Sequence, residues 1–165
     1  MQSEAMASRM EAVAAHPLAE LLACPPHTGS LLNASAKSIL FEAGELIFRQ
    51  AGPCAGLYLV VQGQLLRRTD RLETRISLGL ARPGELVELA AALGEQPHTY
   101  SLVAQTSGSM MMLPIDVLGK AFESYPPLRM QLLEELAREV SRAYHTCATN
   151  RSSRKRRSST RTATA

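Results

Sequence analysis

The side chains of this sequence that could do chemistry gather in two short segments. The first, residues 83–89, contains Glu85 and Glu88, and the second begins with His98 and Thr99. Glu88 precedes a short predicted helix, where a negative charge suits the helix dipole with or without a ligand. No nucleophile elbow, phosphate-binding loop, metal-ligand spacing or pair of carboxylates occurs in a recognisable setting. The sequence therefore predicts a binding protein rather than an enzyme, with no metal site.

The cysteines do not form a recognisable framework. Cys24, Cys54 and Cys147 are odd in number, widely spaced and without a Cys-x-x-Cys pair. This pattern favours neither a disulfide scaffold nor a zinc site. Free thiols are expected.

The charge is distributed unevenly along the chain. The net charge is +3, but residues 151–165 contain six basic residues and no acidic residue. The chain before residue 151 contains 12 basic and 15 acidic residues. The basic residues of the segment 151–165 are Arg151, Arg154, Lys155, Arg156, Arg157 and Arg161. Because this segment contains no large apolar residue, residues 147–165 are predicted to be a disordered tail. The tail either binds the phosphates of nucleic acid without sequence preference or is a solvated terminus.

The length of 165 residues suits one domain with a small aliphatic core. No apolar run approaches the roughly 20 residues that cross a bilayer. The first residues lack the basic start and continuous apolar centre of a secretory signal. The protein is therefore expected to be cytoplasmic, with no membrane partner.

The hydrophobic pattern changes twice along the chain. Residues 1–33 are predicted to form amphipathic cover helices over positions 4–22 and then a loop from Cys24 to Asn33. Residues 34–146 begin with short β-rich stretches separated by turn dipeptides and end with two helices, the second running from Leu128 to about Thr146. The predicted strands are Ser38–Phe41, Leu46–Phe48, Leu57–Val61, Gln64–Arg68, Arg75–Leu80, Tyr100–Gln105 and Ser109–Leu113.

Three motifs make this order of elements specific. They are Phe41–Gly52, Leu57–Gly63, and Pro83–Leu89 followed by His98–Ala104. Together they resemble the cyclic nucleotide-binding domain of the bacterial catabolite-activator/fumarate-nitrate regulator (CRP/FNR) superfamily. The resemblance implies a mainly β fold with flanking α-helices, a double-stranded β-helix or jelly-roll-like β-roll with N-terminal cover helices and C-terminal helices. Gly44 and Gly63 are expected to adopt positive φ at tight strand connections.

The third motif resembles the phosphate-binding cassette of that family. The resemblance implies a ligand-binding set of Gly84, Glu85, Glu88, Leu89, His98 and Thr99. Glu88 falls on the acid that accepts the ribose hydroxyl, and Thr99 on the hydroxyl residue beside the phosphate. His98 stands where the family has its phosphate-binding arginine, and Tyr100 replaces a small alanine. Loss of one charged hydrogen bond would weaken cyclic-nucleotide binding by about ten- to hundredfold, and the effector is unknown.

Two functions follow from these features. The first is a regulatory domain that senses a small molecule or holds a protein partner, related to transcription regulators; no segment after Thr146 is predicted to form a DNA-reading helix pair. The alternative is a nucleic-acid-associated protein that binds through the basic tail. The second closing helix offers a homodimer seam, although packing on the roll accounts for part of the same face. The seam residues are Leu128, Leu132, Leu133, Leu136 and Val140.

Overall fold

Two antiparallel four-stranded sheets form the body of the structure, a computed structural model that describes residues 22–71, 74–94 and 97–161. Their strand orders are β1-β8-β3-β6 and β2-β7-β4-β5. This arrangement confirms the predicted mainly β roll, and it adds one two-residue strand, β6, that the sequence did not predict. The strands are β1 Lys37–Phe41, β2 Leu46–Phe48, β3 Gly56–Gln62, β4 Leu65–Arg71, β5 Thr74–Ala81, β6 Leu86–Val87, β7 Ser101–Ala104 and β8 Gly108–Pro114.

Four helices flank the sheets in the described part of the chain. They are α1 Pro26–Ser35, α2 Leu89–Gly94, α3 Ile115–Ser124 and α4 Pro127–Arg161. Among the residues described, none of these helices combines the length and the apolar character needed to span a membrane. The predicted cover helices at positions 4–22 lie outside the described residues, apart from Leu22.

The loop predicted from Cys24 to Asn33 is wrong, because α1 occupies most of it. Pro25 occupies the N-cap position without a side-chain capping bond, and Pro26 is the first helical residue. Proline is tolerated in the first turn of a helix, where its missing N–H would have had no partner. The Pro-Pro pair therefore starts a helix here, and the fully buried Leu32 packs that helix against the core.

The last helix is longer than the sequence predicts. An end near Thr146 and a disordered segment after it were expected, whereas the backbone of α4 stays helical to Arg161. No proline or glycine lies between these positions, and arginine, lysine and alanine are good helix formers. The predicted boundary at residue 147 is corrected accordingly, while residues 162–165 lie outside the described part.

The central strand β3 is buried on both of its faces. Leu57 and Leu59 pack against the helices, while Tyr58 and Val60 face the second sheet inside the roll. Successive side chains of a strand point to opposite faces, so a strand covered on both sides needs a continuous apolar run. Helices α1, α2 and α3 therefore lie on the outer face of the first sheet, whereas α4 also packs against β5 of the second sheet.

Two glycines turn the chain as predicted. Gly44 and Gly63 have φ values of +87° and +89°. A Cβ atom on Gly63 would also lie 2.7 Å from the carbonyl oxygen of Ser107. Both positions are therefore unfavourable for other residues, and both lie where the chain passes from a strand of the first sheet to a strand of the second.

Candidate functional site

The centre of the candidate site is Glu88, which joins strand β6 to helix α2. Its φ of +67° lies in the left-handed region that residues other than glycine rarely adopt. Its backbone N–H donates to the hydroxyl of Tyr100 at 2.8 Å, and its carbonyl accepts the Ala92 N–H at 2.9 Å. These bonds hold the strained residue and turn its side chain into the protein, where it is 0% exposed.

The carboxylate of Glu88 is bound by neighbours within the chain. His98 Nδ1 lies 2.6 Å from Oε2. The Thr99 N–H donates to Oε2 at 3.0 Å, and the Thr99 hydroxyl donates to Oε1 at 2.8 Å. Both carboxylate oxygens of Glu88 therefore already have partners within the chain.

The ring of His98 is held on several sides. It stacks on Phe48 with ring centroids 3.9 Å apart and an interplanar angle of 5°. Its backbone N–H donates to the carbonyl of Gly52, and its own carbonyl accepts the N–H of Ala51. The histidine is thereby fixed against Glu88 and is almost completely buried.

A second polar cluster joins the roll to helix α4. The Tyr100 hydroxyl donates to Glu139 Oε1 at 2.7 Å. Arg67, on β4, lies with Nε 3.2 Å from the same oxygen in an ion pair that lacks hydrogen-bond alignment. Its other nitrogens donate to the Leu80 carbonyl at 2.9 Å and to Glu85 Oε2 at 3.4 Å. One guanidinium thus balances two acids, one from the cassette turn and one from α4.

Burial changes the acidity of these groups. Removal from water raises the pKa of Glu88, and the hydrogen bonds from Thr99 and His98 offset only part of this change. Burial likewise raises the pKa of Glu139, which the charge of Arg67 partly offsets. The pKa of Tyr100 lies well above its usual value, first because of burial and then because of Glu139. The acids are therefore held in an environment that disfavours additional negative charge.

A cavity of about 350 Å³ lies between these clusters and helix α4. This volume falls within the range of small-molecule sites. The roll and the cassette provide one wall, and α4 provides the other. The lining residues are Arg67, Leu78, Glu88, Ala90, Thr99, Tyr100, Leu136, Glu139, Val140, Ala143, Tyr144 and Cys147.

The structure separates the six residues predicted to bind a ligand. Glu88 and Thr99 line the cavity, while His98 lies behind them against Phe48. Leu89 is fully buried in the core between sheet and helices. Gly84 and Glu85 lie on a different cavity of about 410 Å³. The two parts of the predicted set therefore border different spaces.

Arg67 and Glu139 were not predicted as site residues. Arg67 lies two positions after the buried Leu65 on β4, so the period of the strand places both on one face. Glu139 lies seven residues after Leu132 on α4, which places both on the same stripe. In both elements, a charged residue at a position that the apolar periodicity points toward the core could have indicated these two site residues.

The fold and the motifs agree with a known family. The family model described as cyclic nucleotide-binding domain matches residues 39–125, which include the whole cassette. The chain belongs to this family.

Several proteins to which this cyclic nucleotide-binding domain is similar are bacterial regulators. The transcriptional activator protein Anr of Pseudomonas aeruginosa is 35% identical over 103 residues, which is 60% of this chain and 41% of Anr. The chain thus spans about two fifths of that relative. The Thermus thermophilus catabolite activator protein aligns with a TM-score of 0.62 and 26% identity over 72% of this chain and 56% of that one. The sensor domain of the regulator DNR from Pseudomonas aeruginosa shares the fold, with a TM-score of 0.64 and 18% identity over 85% and 92%.

Proposed function

We propose that this cyclic nucleotide-binding domain is a cytoplasmic, small-molecule-sensing regulatory module whose cavity does not bind a cyclic phosphate as the family does. One observation carries the proposal: the carboxylate of Glu88 already accepts hydrogen bonds from His98 and Thr99. The groups that the resemblance assigns to ribose and phosphate therefore bind one another. The proposed activity is recognition and signalling, not catalysis.

A cyclic phosphate would have to break this arrangement. The Thr99 hydroxyl and N–H donate to Glu88, so a phosphate would compete with a buried carboxylate for both. The phosphate would also be a second anion beside that acid, and like charges in a poorly solvated site repel strongly. His98 cannot supply the two-pronged donor of an arginine. These effects act in the same direction and oppose nucleotide binding.

Calorimetric titration of the purified protein with cyclic AMP, repeated with cyclic GMP, tests the proposal. We expect no saturable heat at micromolar concentrations. One-to-one binding in that range would overturn the proposal, provided that Thr99→Val abolishes it and the matched change Thr106→Val, in an exposed turn away from the cavity, leaves it intact.

The same contacts support a route by which a bound molecule moves α4. Tyr100 and Arg67 belong to the roll and its cassette, whereas Glu139 belongs to α4, and they meet at the cavity. A molecule in the cavity would contact both walls, so its binding would favour one position of the helix over another. We therefore place the signal output on α4.

A homodimer is the proposed partner arrangement, with a different seam from the one predicted. Leu128 and Leu132 are buried in their own domain, and Leu136 packs against the same core. Exposed residues of α4 instead recur at alternating spacings of three and four positions, which is typical of a coiled-coil seam. They are Met130, Leu133, Ala137, Val140 and Tyr144. Leu133 and Val140 belong both to the seam predicted from the sequence and to the seam proposed from the structure.

A second candidate function is nucleic-acid binding through the basic end of α4. The observation that favours it is the continuous helical backbone to Arg161, which places the six basic residues of 151–161 on one element. Phosphate contacts release counterions, so the DNA affinity would fall steeply as the salt concentration rises. In a plot of log affinity against log salt concentration, each phosphate contact would add up to about 0.9 to the steepness of the slope. Sequence-independent binding is expected.

Fluorescence anisotropy with a labelled DNA duplex at several salt concentrations tests this candidate. Replacing Arg154, Lys155, Arg156 and Arg157 by glutamine should reduce both the affinity and the salt slope. A control with Lys120→Gln and Arg129→Gln removes exposed basic residues elsewhere and should leave both unchanged. Equal affinities for all three proteins would refute the candidate.

A further inference from the structure

The cavity between the cassette and α4 has polar groups in its lining, but those groups face the protein. Glu88 is 0% exposed, Arg67 4% and Glu139 7%. Their charged atoms contact one another or other groups of the chain, as described above. Val140 and Tyr144, by contrast, are lining residues that α4 exposes, and they also border the proposed seam; their side chains are 58% and 72% exposed. A molecule in the cavity would therefore meet mainly carbon.

The charges around the cavity do not favour an anion. Within the described lining, Arg67 is the cation, and it contacts both Glu139 and Glu85. Glu88 adds a third carboxylate beside the same space. An anionic ligand would have to displace one of these acids from the guanidinium or remain unpaired in an apolar site, and either event weakens binding.

A cation would not be favoured either. The carboxylate oxygens of Glu88 are engaged by His98 and Thr99, and Glu139 is engaged by Tyr100 and Arg67. A charged group entering an apolar cavity loses its hydration, and both carboxylates of the described lining already have a hydrogen-bond or ion-pair partner within the chain. An uncharged molecule avoids this loss and gains by covering the aliphatic wall.

We infer that this cavity binds an uncharged, predominantly apolar small molecule, with the cassette forming one wall and α4 the other. The inference rests on the proposed sensing function and names its ligand class. Leu78 and Ala90 provide apolar surface from the roll side, and Val140 and Ala143 from the helix. A ligand that contacts both walls would also be placed to move α4 relative to the roll.

Two fluorescent probes that differ by a single charged group test the ligand class. N-phenyl-1-naphthylamine is neutral, and 1-anilinonaphthalene-8-sulfonate carries the same rings with an added sulfonate. Titration of the full chain with each should give one neutral probe bound per chain, with an affinity at least about tenfold higher than that of the anionic probe. Equal or tighter binding of the sulfonate would overturn the inference.

A pair of matched substitutions tests whether the probe occupies this cavity. Ala143→Phe adds a ring to the cavity wall, whereas Ala148→Phe makes the same change at an exposed position of α4 outside the lining. The first should weaken binding of the neutral probe by about tenfold, and the second should leave it unchanged. Equal effects would place the probe elsewhere and overturn the inference.

The cysteine in the lining gives a second readout that does not depend on fluorescence. Cys147 lines the cavity, whereas Cys24 and Cys54 do not, and burial raises the pKa of both of those thiols. The neutral probe should slow alkylation of Cys147 by N-ethylmaleimide and leave the other two rates unchanged, as followed by peptide mass spectrometry. If Cys147 is alkylated at the same rate with and without the probe, the probe does not occupy the cavity.

The outcomes separate the inference from the proposed function. Cyclic AMP binding that Thr99→Val abolishes would refute the proposed function, whatever the probes do. Absence of both cyclic AMP and neutral-probe binding would refute the inference alone. If a second copy covers the cavity instead, Ala143→Phe would change the oligomeric state without changing probe affinity, and that result would also overturn the inference.

Discussion

Glu88 Oε2 lies 2.6 Å from Nδ1 of His98, so the acid of the cassette and the residue in the arginine position form a pair inside the protein. In the related cassettes, as the resemblance implies, these two positions face the ribose and the phosphate. Here Thr99 completes the pair by donating to both carboxylate oxygens. The site is therefore stabilised in the absence of a nucleotide, and its open surface lies farther toward α4.

The Tyr100 hydroxyl should contribute measurably to stability. It accepts the Glu88 N–H and donates to Glu139, and both contacts are buried. Tyr100→Phe would leave a donor and a carboxylate without this partner, at a cost of about 1–3 kcal/mol in the free energy of unfolding. Urea denaturation followed by circular dichroism measures the change.

Tyr125→Phe is the matched control, because this tyrosine belongs neither to the cavity lining nor to the proposed seam. It removes the same hydroxyl and should change stability by less than about 0.5 kcal/mol. Equal losses in the two variants would mean that the bridge between cassette and helix contributes nothing specific.

The strands and turns of the roll were predictable because local patterns determine them. The predicted strand Leu46–Phe48 has the same first and last residues as β2 in the structure. Gly44 and Gly63 adopt the expected positive φ. Period-two burial and the conformational freedom of glycine are properties of a few adjacent residues. The two-residue β6 has too few residues to show any period, and its pairing with β3 decides its state.

The contacts of the site could not be predicted in the same way. Tyr100 and Glu139 are distant in sequence, and their meeting depends on how α4 packs across the roll. The left-handed conformation of Glu88 likewise depends on bonds made by Tyr100 and Ala92. Residue types indicated a binding cassette, but only tertiary packing shows that its polar groups bind one another.

The left-handed conformation of Glu88 makes a second prediction. Both Glu88→Ala and Glu88→Gly remove the carboxylate, but only glycine relieves the strain of φ +67°. Both variants should be less stable than the parent, with glycine about 1 kcal/mol more stable than alanine. Chemical denaturation of the two variants measures this difference. Glycine and alanine variants of equal stability would show that the backbone has relaxed from the left-handed region.

The seam on α4 makes a third prediction. Leu133 is 40% exposed, and Leu133→Glu would place a charge within the proposed seam. The variant should be monomeric at concentrations where the parent is dimeric, as measured by sedimentation velocity. Leu40→Glu, on the exposed face of β1, is the matched control and should keep the parental mass. A parent that is monomeric throughout would refute the seam.

The raised pKa of Glu139 makes a prediction about pH. Burial is the main cause, and the charge of Arg67 offsets it only in part. Between the ordinary value near 4.5 and the higher value in the folded protein, the folded state binds more protons than the unfolded state. This contribution to stability is fully present below the unfolded pKa and is lost as the pH rises through the folded pKa.

Glu139→Gln cannot titrate, so it lacks this contribution. The difference in unfolding free energy between the parent and Glu139→Gln should be most favourable to the parent near about pH 4 and should decline toward about pH 8. Urea titrations at several pH values, performed at one protein concentration, measure it. A difference that grows with pH would mean that the attraction of Arg67 outweighs burial, and the pKa of Glu139 would then lie below its ordinary value rather than above it.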